Sequence, residues 1–337
     1  MAEPTETCER ILVTGANGFV GRELCSRLES AGKTVRRAVR AREKLSTESD
    51  GVVVGDLAQG ADWSDALSGI DAVVHLAARA HVLKDEAADP LASYRAVNVE
   101  GTRKLATHCA TVGVRRLVFV SSIGVNGDLT RGEGFREVDP PNPRSAYAAS
   151  KWEAEQALWE IAGATGLEVV VVRAPLVYGP GAPGNFASLL RWVDRGVPLP
   201  LASIANHRSL VGVGNLAELL ALCVVHPGAA GETFLVCDGA DLSTPGLIRE
   251  IAERLSRRAR LFPFPVPLLV AAARLAGKGA LTDRLCGSLQ IDQSKAMGLL
   301  GWQPPASVAE ELDRAVGWYQ EHRASRRSLE HFGGGER

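Results

Sequence analysis

Ile11-Leu12-Val13-Thr14-Gly15-Ala16-Asn17-Gly18-Phe19-Val20-Gly21 is the stretch that decides how this chain is read. A short β-branched run ends in glycines spaced G-x-x-G-x-x-G, and a helix-forming segment follows at once. That order predicts a strand, a tight turn and a helix. Gly15 permits the turn. Gly18 lets the backbone approach a pyrophosphate, and Gly21 lets the helix lie close on the strand. The helix start then offers unpaired N–H groups and a partial positive charge to phosphates. The expected ligand is a dinucleotide, with Gly15, Asn17, Gly18, Phe19, Val20 and Gly21 as its contacts.

Outward from this loop, apolar runs alternate with helical patterns. Residues 11–14, 34–39, 52–54, 72–76, 116–121 and 168–173 read as strands, most of them apolar on both faces, as buried parallel strands should be. Residues 19–31, 62–67, 91–112 and 148–164 read as helices between them. The predicted fold is α/β, a Rossmann-type doubly wound parallel sheet, with its ligand edge at the strand C-termini. After about residue 180 the pattern turns mostly helical: 186–195, 216–225, 245–257, 267–276 and 308–320. This gives a dinucleotide-binding domain over 1–180, a smaller substrate-binding lobe over 181–322 and a fraying tail over 323–337. Residues 233–237 form a strand candidate that could return to the sheet.

Composition sets the outer limits. The 337 residues carry a formal net charge of −1 and are 46% apolar, which excludes a disordered chain and leaves no whole-chain footprint for nucleic acid or an anionic membrane. The first ten residues hold three glutamates and no apolar run, unlike a secretory signal. Residues 262–276 are apolar but broken by three prolines and Arg274, so they read as a packed helix after a Pro-rich turn, not a membrane span. Six scattered cysteines without a C-x-x-C pair point to reduced thiols in a cytoplasmic protein. The histidines show no ligand spacing, and no metal is expected.

The second strand should end beside the adenosine ribose. An acid there would select NAD. Here it runs into Arg40, with no acid, and a guanidinium suits a 2′-phosphate. NADP is therefore slightly favoured over NAD. Asp56, just after the third strand, is a candidate adenine contact.

Tyr147 and Lys151 are four apart, hence on one helix face. A free phenol titrates near ~10, and a neighbouring ammonium is expected to lower that value. Tyr147 could then exchange a proton during hydride transfer at a carbinol carbon, while Lys151 holds the nicotinamide ribose. Ser121-Ser122 ends the fifth strand at the ligand edge, where a hydroxyl can bond the substrate oxygen.

These residues resemble the extended short-chain dehydrogenase/reductase family over nearly the whole chain. The matching elements are the glycine loop, Asp56-Leu57, His75-Leu76-Ala77-Ala78, Asn98-Val99-Glu100-Gly101-Thr102, Ser121-Ser122, Tyr147 with Lys151, and Arg173-Ala174-Pro175-Leu176-Val177-Tyr178-Gly179-Pro180-Gly181. The resemblance implies that Ser122 is the catalytic serine. It also implies that Leu57, Leu76, Ala77 and Ala78 run beside the cofactor, and that Asn98 lies near the active site. Core packing is the alternative for His75. A homodimer built through the helices at 91–112 and 148–164 is a further implication.

The second half resembles enzymes of nucleotide-linked sugars such as the UDP-galactose 4-epimerases. That resemblance assigns substrate binding to Asn185, in Gly184-Asn185-Phe186, and a diphosphate grip to Arg208. Asn215 replaces a more usual aspartate. Asn126 stands where the family places an aromatic, so a changed sugar pocket is expected. Ile123 and Gly124 stand where 4,6-dehydratases carry an Asp-Glu pair, which argues against dehydration. The preferred reading is reduction of a 4-keto sugar on a UDP-linked hexose, because Arg40 favours an exchanging NADPH. The alternative is a UDP-hexose 4-epimerase with retained NAD. A 3β-hydroxysteroid or flavonoid-type reductase and a non-catalytic NADP sensor rank below both.

Overall fold

The computed structural model describes residues 8–41, 50–80, 89–275 and 279–332. The first half runs β1 (Arg10–Thr14), α1 (Phe19–Ser30), β2 (Thr34–Val39), β3 (Gly51–Val53), β4 (Ala72–His75), α2 (Pro90–Arg95), α3 (Gly101–Val112), β5 (Arg116–Ser122), α4 (Ala146–Thr165) and β6 (Glu168–Ala174). The second half holds β7 (Leu176–Tyr178), α5 (Gly184–Asp194), β8 (Leu210–Gly212), α6 (Val213–Val225), β9 (Thr233–Leu235), α7 (Thr244–Arg254), α8 (Val266–Leu275), α9 (Gly279–Cys286), α10 (Ser294–Leu300) and α11 (Val308–Phe332).

Seven strands form one parallel sheet in the order β3-β2-β1-β4-β5-β6-β9. The order reverses beside β1, so the crevice over its C-terminal end is the ligand position of a doubly wound fold. Alternation along the strands feeds a core on each side. Ile11, Val13, Val118, Val170 and Val172 pack with α1 and α6 on one face. Leu12, Leu117, Phe119, Val169 and Val171 pack with α3 and α4 on the other. Burial on both faces is why these strands read as continuous apolar runs. A third core, around Tyr178, Phe186, Ile248, Ile251 and Leu312, joins α5, α7 and α11 in the C-terminal half.

β9 joins the sheet beside β6, as the 233–237 run suggested. The pair β7-β8 and the helices α9 and α10 have no counterpart in the sequence pattern. Three-residue strands and helices of seven or eight residues are too short to show a period. One expectation is corrected. Residues 62–67 are not a helix: Asp62 accepts a bond from Ser64 N (3.0 Å), and a series of turns follows that buries Trp63. α11 runs to Phe332, into the segment expected to fray; residues 333–337 lie outside the described residues. The helix expected to pack at 267–276 is present as α8: Val266 and Leu269 pack against the third core, while Leu268 and Leu275 face outward.

Candidate active site

The glycine loop takes its shape from contacts that allow no side chain. Gly15 has φ +65°, and a Cβ there would stand 3.0 Å from the Ala77 nitrogen. Gly18 donates to the Gly15 carbonyl (2.9 Å) and precedes α1. A Cβ on Gly21 would meet that carbonyl oxygen at 2.2 Å, so only glycine lets α1 approach β1 this closely. The loop opens onto a cavity of about 530 Å³ over the sheet edge. Gly15, Asn17, Arg40, Asp56, Leu57, Ala77 and Ala78 line it. Gly18, Phe19, Val20, Gly21, Leu76 and Asn98 stand outside the lining; Phe19, Val20 and Leu76 pack against the cores instead. Asp56 accepts from Ala58 N (2.9 Å), and Arg40 Nη1 lies 3.7 Å from its other oxygen. A glycine cradle at a helix start, opening into a cavity with a charged mouth, fits a dinucleotide.

A buried polar chain ties this loop to α4. Leu76 N and Ala77 N each donate to Thr14 Oγ1 (3.1 Å). Thr14 Oγ1 lies 2.7 Å from His75 Nδ1, and His75 Nε2 lies 3.0 Å from Thr102 Oγ1. Thr102 donates its hydroxyl proton to the Asn98 carbonyl (2.7 Å), so it must accept from His75 Nε2. His75 Nδ1 then accepts from Thr14, which requires a neutral imidazole. Burial, with the Lys151 charge adding to it, holds the His75 pKa down at about 3. His75 is thus a core histidine with a wiring role. Asn98 sits in a π turn at Ala96–Glu100, a distortion frequent at functional sites. Its amide accepts from Arg79 N (2.8 Å) and donates to Ser150 Oγ (2.9 Å), which donates to the Tyr147 carbonyl (2.7 Å).

β5 and α4 form the wall that carries Ser122, Tyr147 and Lys151. Ser145 caps α4 by accepting from Ala148 N (3.2 Å), which fixes the turn that carries Tyr147. Ser122 accepts from Gly124 N (3.1 Å) and keeps its own proton to donate. A Cβ on Gly124 would fall between Ala148 Cβ (3.2 Å) and Ser122 Oγ (3.3 Å), so the serine faces the start of α4. Lys151 Nζ rests 3.9 Å from the Phe119 ring centroid, and His75 stacks on Phe119 at 5.8 Å. Burial pushes Lys151 down to about 7, with the Glu155 carboxylate opposing. Burial, helped by Tyr94, pushes Tyr147 up to about 12. The expected lowering of Tyr147 by Lys151 is therefore overturned here: desolvation dominates, and the ammonium sits on a ring face. The Tyr94 ring meets Tyr147 edge-on at 6.0 Å.

Behind this wall lies a network that sequence reasoning missed. Glu155, fully buried, receives Arg173 Nη2 (2.7 Å) and Nε, and Ser121 donates its hydroxyl to the same carboxylate. Arg173 Nη1 donates to Asn126 Oδ1 (2.9 Å), whose amide donates to the Arg136 carbonyl (2.9 Å). Asn126 is thus buried and bonded at both ends of its amide beneath the wall. The signals are an arginine after four valines in β6 and a glutamate one turn past Lys151, each demanding a partner if buried.

The two substrate candidates are placed differently. Asn185 is exposed in the first turn of α5. Arg208 is half-buried, and its Nη1 donates to the Gly287 carbonyl (3.0 Å). Burial and the nearby Arg284 cation lower its proton affinity, and Asp128 opposes them. The structure therefore does not bring Asn185 and Arg208 together through a hydrogen bond. Asn215 belongs elsewhere: its amide donates to the buried Asp238 (2.8 Å), which also accepts from Tyr178 OH (2.7 Å) and Gly212 N (2.9 Å). An aspartate at 215 would set two carboxylates in contact.

Residues 11–237 match the family model described as NAD dependent epimerase/dehydratase family. The chain is 43% identical over 305 residues to a UDP-glucose 4-epimerase of Vibrio cholerae, covering 89% of this chain and 92% of that protein. It is 26% identical to an N-acetyl-α-D-glucosaminyl-diphospho-ditrans,octacis-undecaprenol 4-epimerase of Escherichia coli O157:H7, covering 91% and 94%. A crystal structure of Thermus thermophilus UDP-glucose 4-epimerase in complex with NAD superposes with a TM-score of 0.75 at 27% identity, covering 92% of this chain and 99% of the other.

Proposed function

This chain belongs to the NAD dependent epimerase/dehydratase family, and from that premise we propose that it interconverts the C4 epimers of a UDP-linked hexose using a retained NAD. It is an NAD(P)-dependent enzyme of the short-chain dehydrogenase/reductase type. The likeness to the Vibrio cholerae UDP-glucose 4-epimerase along nearly the full length of both chains carries the choice of reaction. Reduction of a 4-keto sugar, preferred on sequence, gives way to it. That preference rested on Arg40 as a 2′-phosphate ligand, and Arg40 faces Asp56 across the cavity mouth.

The bound cofactor would supply the hydride acceptor and donor; Gly15 and Asn17 would hold its phosphates and Asp56 its adenosine end. Tyr147 takes the C4 hydroxyl proton during oxidation and returns it when the opposite face is reduced. With its pKa raised to about 12, the phenol stands ready as the acid, and ionising it for the oxidative half requires added positive charge. Lys151, one turn along but resting on the Phe119 ring, would supply part of that charge on turning toward the phenol when the cofactor binds. Ser122 donates to the same oxygen and fixes its position. Epimerisation also needs the 4-keto sugar to turn over while its diphosphate stays anchored. Arg208 suits the anchor through charge-assisted bonds, and Asn185 suits a contact near the sugar. Dehydration does not fit: Ile123 is buried, and position 124 has no room for an acid.

The test is to incubate the purified protein with UDP-galactose, then with UDP-N-acetylgalactosamine, without added nucleotide. The expected result is formation of the C4 epimer with no net change in nicotinamide absorbance. Net NADPH consumption on a 4-keto sugar, with no epimer from any C4 alcohol, would overturn the proposal in favour of reduction.

A further inference from the structure

A formal charge of −1 hides a strong local asymmetry. Residues 254–282 contain six Lys or Arg and no Asp or Glu. The same stretch holds α8, which packs on the third core through Val266 and Leu269 and leaves its other side open. Leu268 is 59% exposed, Leu275 91% and Phe262 43%. A neighbouring turn extends this surface. Leu199 N donates to the Arg260 carbonyl (2.9 Å), and Phe262 N donates to the Leu199 carbonyl (3.1 Å). A Cβ on Gly196 would lie 3.5 Å from Arg260 Nε. Trp192 (41% exposed) and Val197 (37% exposed) therefore border the same patch. Arg254 is taken up by Glu250 and Asp313, and Arg257 pairs with Asp194. The charge of the patch rests on Arg258 and Arg260, with Arg195 beside them, all exposed.

We propose that α8, the Trp192 turn and the Arg258–Arg260 rim form a docking face for the surface of an anionic lipid bilayer. A helix with leucines outward, an exposed phenylalanine just before it, a tryptophan at its border and arginines at its rim is what the headgroup boundary accepts. The apolar side chains enter the acyl edge, and the cations meet lipid phosphates. A second copy of this chain fits less well, because a two-fold contact of this face would bring Arg195, Arg258 and Arg260 of both copies into one interface of like charge. No helix among the described residues is long and apolar enough to cross a membrane, so the contact is peripheral. The proposal does not depend on the reaction assigned above, since it concerns a surface of the C-terminal half and needs no substrate.

The experiment is flotation of the full chain with vesicles of phosphatidylcholine alone or containing phosphatidylglycerol, at low and high salt. The expected result is binding to the phosphatidylglycerol vesicles, with a blue shift of tryptophan emission. Binding should fall by about tenfold or more on neutral vesicles and in high salt. Leu268→Glu with Leu275→Glu, and separately Arg258→Glu with Arg260→Glu, should each lose about tenfold or more in partitioning while melting behaviour and turnover of soluble substrate stay as in the wild type. The proposal is overturned if the wild type does not float with anionic vesicles at low salt. It is equally overturned if both double variants bind as the wild type does, or if the leucine changes split a dimer that ignores vesicles.

Discussion

The wall made by β5 and α4 and the surroundings of Arg208 are built on opposite plans. Behind the wall, every polar group named has a side-chain partner: Glu155 with Arg173 and Ser121, Arg173 with Asn126, His75 with Thr14 and Thr102, Asn98 with Ser150. Among the described residues, the Arg208 guanidinium donates to the Gly287 carbonyl, and its backbone pairs with Leu242 and Leu289. The wall is fixed by its own packing before any ligand arrives. The arginine is positioned by loops. Under the proposed epimerisation, a preorganised wall and a loop-held arginine suit chemistry in which the sugar moves and the diphosphate does not.

If this contrast holds, changes in the wall should be severe and changes at the anchor should act on binding alone. Tyr147→Phe keeps the ring against Tyr94 and removes only the proton carrier. Turnover should fall by about 10³-fold or more, with dinucleotide binding unchanged, as measured by steady-state kinetics and by nucleotide extracted from the purified variant. Full activity in Tyr147→Phe would break the assignment. The next largest effect is on stability. Glu155→Gln leaves Arg173 buried without its counter-charge and should cost about 3–5 kcal/mol in urea unfolding. Replacing both, Glu155→Leu with Arg173→Met, should cost less than Glu155→Gln alone, because the uncompensated charge is gone. A double variant worse than the single one would mean that specific hydrogen bonds to Ser121 and Asn126 outweigh the buried charge.

How much of this could be read beforehand follows from the range of the interactions. The glycine turn, the strand–helix alternation and the Tyr147–Lys151 spacing are local patterns, and they stand in the chain as read. The wall network joins residues 18 to 47 positions apart, such as Glu155 with Arg173 and Arg173 with Asn126. Nothing local marks those pairs except the oddity of a charge in an apolar context. The Tyr147 titration escapes a reading of the sequence for the same reason. Spacing places an ammonium on the right helix face, but only three-dimensional packing shows that Phe119 takes it and that burial governs both groups. The helix expected at 267–276 packs on one side only, through Val266 and Leu269, while Leu268 and Leu275 stay exposed. Apolar composition says that a segment avoids water, not whether its own chain covers it.

The anchor side gives a smaller and separable effect. Arg208→Ala should raise KM for a diphosphate-linked substrate by about 10–100-fold, the loss of a charge-assisted bond of about 1.5–3 kcal/mol, with kcat little changed. The fold should tolerate it, since the carbonyl of Gly287 can turn to water. A matched fall in kcat and kcat/KM would instead place Arg208 in the transition state, and the two-plan contrast would fail.

The smallest effect probes the joint between the wall and the glycine loop. His75 has its pKa held near 3 in the folded chain, against an ordinary value near 6.5. A folded pKa below the unfolded one means that the unfolded chain binds more protons between these values, so stability falls as the pH drops through that window. The contribution is present above about pH 6.5 and should shrink by about 1.5–2 kcal/mol on going from pH 6.5 to pH 5. Urea unfolding at the two pH values measures it. In His75→Gln, whose amide can still accept from Thr14 and donate to Thr102, this part of the slope should vanish while the neutral-pH stability changes less. The charged imidazole would have two donors facing Thr14, whose proton is already directed at Nδ1, and Thr102, whose proton is committed to Asn98. Acid should therefore loosen the glycine loop together with α4, because the ring joins Thr14 to the Thr102–Asn98–Ser150 chain that reaches α4.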